Sequence, residues 1–213
     1  VASYARTLRF FAAILSMIFP AVYVAVATWH TSLLPTKLVL SMAEARQGVP
    51  FPALGEILLM EISFELLKEA GIRLPGPMGN TIGIVGGLII GQAAVDASLV
   101  SPIVVIVVAF TALCSFAIPN EEFASAFRIL KYGCIFMGAW LGLYGVALSG
   151  LWVLIHLSHL NSFGIPYLMP YVAADVNGYE DKKDSLFRFP LKYCVRRPIF
   201  ARQGERIKLR KRD

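Results

Sequence analysis

The stretch Thr81-Ile-Gly83-Ile-Val85-Gly86-Gly87-Leu-Ile-Ile-Gly91-Gln92-Ala-Ala-Val95-Asp96-Ala-Ser-Leu99 decides the fold class. It holds a single ionisable group, Asp96, and matches the roughly 20 residues that a helix needs to cross a hydrocarbon core ~30 Å thick. Three more runs share this character. Leu8–Trp29 carries Arg9 alone, and Pro102–Pro119 and Gly133–Ile155 carry no charge. Across the chain 57% of residues are apolar and 16% are charged, against about 25% charged in an ordinary soluble domain. Four clustered runs predict an all-α, polytopic membrane helical bundle of about four spanning helices. They exclude a globular enzyme built on one apolar core.

The deciding stretch is rich in small residues. Gly83, Gly87 and Gly91 repeat at every fourth position, a spacing that lets a neighbouring helix backbone approach closely. Gln92 and Asp96 are also four apart. An acid inside an apolar run faces a cavity, a pore or a partner, or else lies at the membrane interface near the end of its helix. Both readings stand for Asp96, and Gln92 can instead bond across two helices of one subunit.

Residues Ala53–Ala70 form a different kind of helix. Glu61, Glu65 and Glu69 share one face by their spacing of four, while Leu58, Ile62 and Leu66 lie largely on another. The stripe makes this helix surface-lying, re-entrant, or crossing with its acids turned into protein or water. Its acidic face lines an ion vestibule, anchors on a partner subunit, or is simply solvated. A buried Glu61 needs a cation, with Arg73 or Lys68 the nearby choices. Gly71, Pro75 and Pro77 are read as ending this helix. Upstream, Pro20 favours a kink in the first run, and Thr36–Gln47 reads as a short amphipathic segment. Asn120 reads as the cap of a helix whose first turn holds Glu121 and Glu122.

The net charge of +6 lies entirely in the tail. Residues 1–160 hold 8 basic and 8 acidic groups, and residues 161–213 hold 12 and 6. Lys and Arg collect on the cytoplasmic side of spans, which places the tail there. Arg6 and Arg9 place the start of the first span there too, so an even number of crossings is needed. The expected division is a transmembrane helical domain at 1–160 and a basic, partly disordered cytoplasmic tail at 161–213. Val1 in place of Met reads as a cut through a longer protein. The tail has no aromatic–basic platform, so no nucleic-acid partner is expected, and the lipid bilayer is its natural neighbour. Cys114, Cys134 and Cys194 have no metal spacing, and His156 with His159 supply too few ligands for a structural metal site. No cofactor is expected. Nor does any residue set join a nucleophile to a base and an orienting group, so the chain is not read as an enzyme.

The residues from about 50 to 170 also carry a resemblance. Phe51-Pro52, Glu56, Leu59-Met-Glu61 and Phe64-Glu65-Leu-Leu-Lys-Glu69-Ala-Gly-Ile-Arg-Leu-Pro75 resemble the membrane part of GerA-type spore germination proteins. So do Ile84–Val95, Val100-Ser-Pro102, Ser115-Phe-Ala-Ile-Pro119 and Ser162-Phe-Gly-Ile-Pro-Tyr167. The resemblance implies an A-type subunit of a nutrient germinant receptor in the inner membrane of a spore. It implies B-type and C-type partner subunits, a soluble N-terminal region missing from this chain, and homo-oligomers that form an ion-conducting channel. A stage V sporulation AF-type relative shares the same motifs. On this basis Val85 and Val95 become a candidate apolar constriction. Gln92 and Asp96 become polar contacts in the conduit, and Glu61 and Glu65 its mouth. Rival readings are a scaffold that conducts nothing and a secondary transporter. A transporter often shows two related halves, and no second half is visible.

Overall fold

A computed structural model describes residues 2–73, 78–162, 165–168 and 171. They form seven α-helices: α1 (Ala2–Trp29), α2 (Thr36–Ala45), α3 (Ala53–Arg73), α4 (Met78–Asp96), α5 (Pro102–Phe116), α6 (Glu121–Leu141) and α7 (Leu143–His159). One 3-10 turn, Thr31–Leu33, links α1 to α2. Beyond α7, two short strands pair antiparallel, β1 (Asn161–Ser162) with β2 (Ile165–Pro166). Among the described residues the regular structure is all-helical apart from this pairing. Most of the basic tail lies outside the described residues.

Local chemistry explains most of the boundaries. α1 continues through Pro20, which is fully buried. Pro102 opens α5 at a position where its missing N–H costs nothing. Asn120 caps α6 as the sequence predicts: its Oδ1 accepts from the N–H groups of Glu122 (2.9 Å) and Phe123 (3.2 Å). α3 does not stop at Gly71. It runs on to Arg73, because an isolated glycine weakens a helix without ending it.

Of the four apolar runs, only the first yields a described helix long and apolar enough to cross a membrane, Ser3–Trp29. The third folds as a 15-residue helix that stops at Phe116, ahead of Pro119. The fourth is two helices rather than one span. It breaks at Gly142, whose φ of +65° ends α6, and α7 begins at the next residue. The end of α1 packs into this break. The Trp29 indole N–H donates to the Ala139 carbonyl at 2.8 Å. A Cβ at Gly142 would stand 2.7 Å from His30 Cε1. Gly138 is needed as well, since its Cβ would lie 2.8 Å from the Ala21 carbonyl oxygen.

The chain divides into two compact units, residues 12–150 and a second made of 1–11 with 151–213. In the second, Trp152 stacks on His156 with ring centroids 5.8 Å apart. The first unit holds the main core. Ala21, Val24 and Ala25 of α1 meet Ile57 and Met60 of α3, Val104 and Val108 of α5, and Cys134 and Ile135 of α6. α3 is the hub, packing against α4, α5 and α6. Small side chains let helix backbones approach closely and gain van der Waals contact. That is why small residues line the tightest crossings.

Candidate functional site

α3 presents its carboxylates to three different neighbours. Glu56, one turn into the helix, is fully buried. Its Oε1 accepts from Arg46 Nε at 3.1 Å and lies 3.1 Å from Nη2 of the same guanidinium, and its Oε2 accepts from the Ser101 backbone N–H at 2.8 Å. The Tyr23 phenol of α1 lies against the same cluster. Further along, Glu61 pairs with Lys131 of α6, both buried. One turn on, Glu65 pairs with Arg128 of α6, at partial exposure. The two pairs run in opposite chain directions, so α3 and α6 are antiparallel along this ladder.

Among the described residues the partner of Glu61 is therefore Lys131, not Lys68. Lys68 turns instead to α5, where its ammonium reaches Ser115 Oγ at 3.4 Å and lies 5.3 Å from the centre of the Phe116 ring. The side chain of Arg73 lies outside the described residues. A carboxylate in a low-dielectric interior is tolerated when an opposite charge and hydrogen bonds replace its water. Glu56 meets that condition at both oxygens. Glu61 meets it at one, since its Oε1 is buried with no hydrogen-bond partner. The sequence reading missed Arg46, Lys131 and Arg128 as members of this network. Arg128 and Lys131 stand three apart on α6, and Glu61 and Glu65 four apart on α3, each about one helical turn.

α4 has two unlike faces. One is packed: a Cβ at Gly86 would stand 2.9 Å from Leu67 of α3, one at Gly87 3.0 Å from Phe64 of α3, and one at Gly91 3.1 Å from Val105 of α5. Thus Gly87 and Gly91 serve close packing inside one chain, against two different helices. Gly83 does not join them, because nothing lies within 4 Å of its Cβ position. Val95 packs against the core. Val85, ten residues earlier, is exposed, so the two valines have different surroundings.

The other face is open. It carries Val85, Leu88, Ile89, Gln92, Ala93 and Asp96, all exposed. Gln92 Nε2 donates to Asp96 Oδ1 at 3.1 Å, so the polar pair is held within one helix. Glu61 and Glu65 do not reach it; they face α6 instead. A cavity of about 310 Å³ between α1, α2 and α5 is walled by apolar side chains and Tyr23. Such a wall offers nothing to replace the water around an ion.

Comparison with known proteins decides the family. The model of the Bacillus/Clostridium GerA spore germination protein family matches residues 1–200. The chain belongs to the GerA family. Among its relatives, spore germination protein A1 of Bacillus subtilis (strain 168) is 46% identical over 194 residues, covering 90% of this chain and 39% of that protein. Spore germination protein GerLA of Bacillus cereus is 45% identical over 195 residues, covering 92% of this chain and 39% of the relative. Spore germination protein KA of Bacillus subtilis is 42% identical over 208 residues, covering 98% and 38%. This GerA-family chain therefore spans about two fifths of the length of the curated relatives it matches. No solved structure matches it.

Proposed function

We propose that this chain is the membrane part of an A-type germinant-receptor subunit, and that several copies assemble around an axis with the open face of α4 lining an ion passage. The observation that carries the reading is the position of Gln92 and Asp96. They stand on the exposed face of a helix that is apolar from Ile82 to Gly91, and among the described residues the one side-chain hydrogen bond they make joins them to each other. A carboxylate set this way in lipid is costly. A wet passage between copies removes that cost, and a ring of carboxylates favours cations. Val85 stands on the same face nearer the start of α4, where a ring of valines would narrow the passage.

In this reading α1, α4, α5 and the broken α6–α7 run provide the crossings, and α3 lies as a charged strut beside α4. The basic tail faces the cytoplasmic side of the spore inner membrane. B-type and C-type subunits complete the receptor, and nutrient binding shifts a closed–open equilibrium by its differential affinity for the two states.

The test is conductance of the full-length receptor in a planar bilayer, with and without Asp96→Asn. The expected result is a nutrient-dependent cation current whose selectivity falls in the variant. A fully assembled receptor that passes no current indicates a scaffold, and saturable uptake by the isolated protein indicates a transporter.

A further inference from the structure

The turn between α4 and α5 sets Val100 into the core and is hydrogen-bonded through its backbone to one side chain of another helix. Its backbone donors can be accounted for in full. Ala97 N–H goes to the Ala93 carbonyl at 3.0 Å, Ser98 N–H to Val95 at 2.8 Å, and the N–H groups of Leu99 and Val100 both to Ala94, at 2.9 and 3.3 Å. Ser101 N–H goes to Glu56 Oε2 at 2.8 Å, and Pro102 has no N–H. Four of the five donors are therefore satisfied inside the turn, and the fifth by a carboxylate on α3.

Ser101 is fully buried, so its N–H has no water to fall back on, and orphaned buried amides are rare because they are costly. A helix commonly meets this need with a Glu at its own third position reaching back to the cap N–H. In α5 that position is Val104, which cannot do so, and Glu56 supplies the acceptor from another helix. The turn itself is strained: Ser98 holds a φ of +54° without being glycine. A strained turn needs an external hold to keep its shape, and Asp96 is the residue at which α4 enters it.

We propose that Glu56 is the positioning residue for the Asp96 end of α4. Its Oε2 fixes the level of the α4–α5 turn, and its Oε1, held by Arg46, links that level to the segment following α2. This rests on the reading of the α4 face as a conduit, and it adds to that reading a residue that never touches the ion. A displacement of the α2–α3 connection would move Arg46, loosen Glu56 and release the turn.

The experiment uses the full-length receptor with its partner subunits in liposomes, carrying Leu99→Cys as a reporter on the exposed part of the turn. The rate of reaction of residue 99 with a water-soluble maleimide is read by mass spectrometry, in parallel with ion current. Ser101→Pro deletes the N–H and leaves the Arg46–Glu56 pair in place; the Ser101 φ of −76° already suits proline. Glu56→Leu deletes the acceptor, and Glu56→Gln keeps an acceptor oxygen. The expected result is a several-fold change in reaction rate in Ser101→Pro and Glu56→Leu, with altered ion selectivity, and a rate near the parent's in Glu56→Gln. An unchanged rate in both deleting variants overturns the proposal. Amide hydrogen exchange of the unmodified receptor gives a reading that needs no variant. Ser101 should exchange as slowly as the core of α5, and fast exchange overturns the proposal even if the variants fail to assemble. Rates that change in a receptor whose parent passes no current would sink the conduit reading and leave the hold on the turn intact.

Discussion

Glu61 of α3 is ion-paired with Lys131 of α6 in the interior, the two side chains 3% and 7% exposed. Such a pair contributes little net stability against a well-packed apolar replacement, but removing one partner strands a charge at a cost of about 3–5 kcal/mol. Lys131→Met should therefore destabilise the protein strongly, and adding Glu61→Leu should recover most of the loss. Denaturant titration in detergent measures both. Losses that simply add would show that the pair is not coupled.

The outer rung behaves differently. Glu65 and Arg128 are 28% and 16% exposed, so solvent screens them more. Arg128→Gln should cost less than Lys131→Met in the same titration, on the order of 1 kcal/mol. Raising the salt concentration should shrink that cost, while the Lys131→Met cost stays nearly constant.

The glycines sort by what stands beside them. A Cβ at Gly145 would lie 2.0 Å from the Met137 carbonyl oxygen, which is backbone and cannot swing aside. Gly145→Ala should abolish correct folding of the α6–α7 junction, seen as loss of the detergent-stable species. At Gly83 the Cβ position is open, and Gly83→Ala should leave that species intact. A loss of receptor assembly in Gly83→Ala, with the protomer still folded, would mark this spot as a contact between subunits.

The N-cap of α6 is a local device with a local cost. Asn120→Ala removes the acceptor for two helix N–H groups and should lower stability by about 1 kcal/mol. Asn120→Asp should retain most of the cap, and the same titration separates the two.

What could be read from the sequence was what neighbours in sequence decide. The Asn120 cap, the short α2, the glutamate-bearing α3 and the small-residue character of α4 all follow from spacings of four or fewer. Contacts between distant segments could not be read this way. Lys131 lies 70 residues from Glu61, whereas Lys68 and Arg73 were closer along the chain. The break at Gly142 falls in a run with no proline and no charge, and what marks it is the packing of Trp29 and His30. Glu56 stands off the face shared by Glu61, Glu65 and Glu69, and its spacing marks it for nothing in particular. Its burial is set by Arg46 and by a backbone N–H that side-chain patterns do not report. The open face of α4 was legible as residue types, Val85, Gln92 and Asp96, whereas the packing of Val95 against the core depends on contacts with other helices.

The central claim is that the open face of α4 meets water between copies rather than lipid. Val85→Cys tests it most directly, in the full-length receptor reconstituted in a bilayer and exposed to nutrient. The account predicts that a charged, membrane-impermeant thiol reagent reacts at residue 85 and stops the current. A receptor whose residue 85 resists that reagent, yet is labelled by a photoreactive probe carried on a lipid acyl chain, would contradict it.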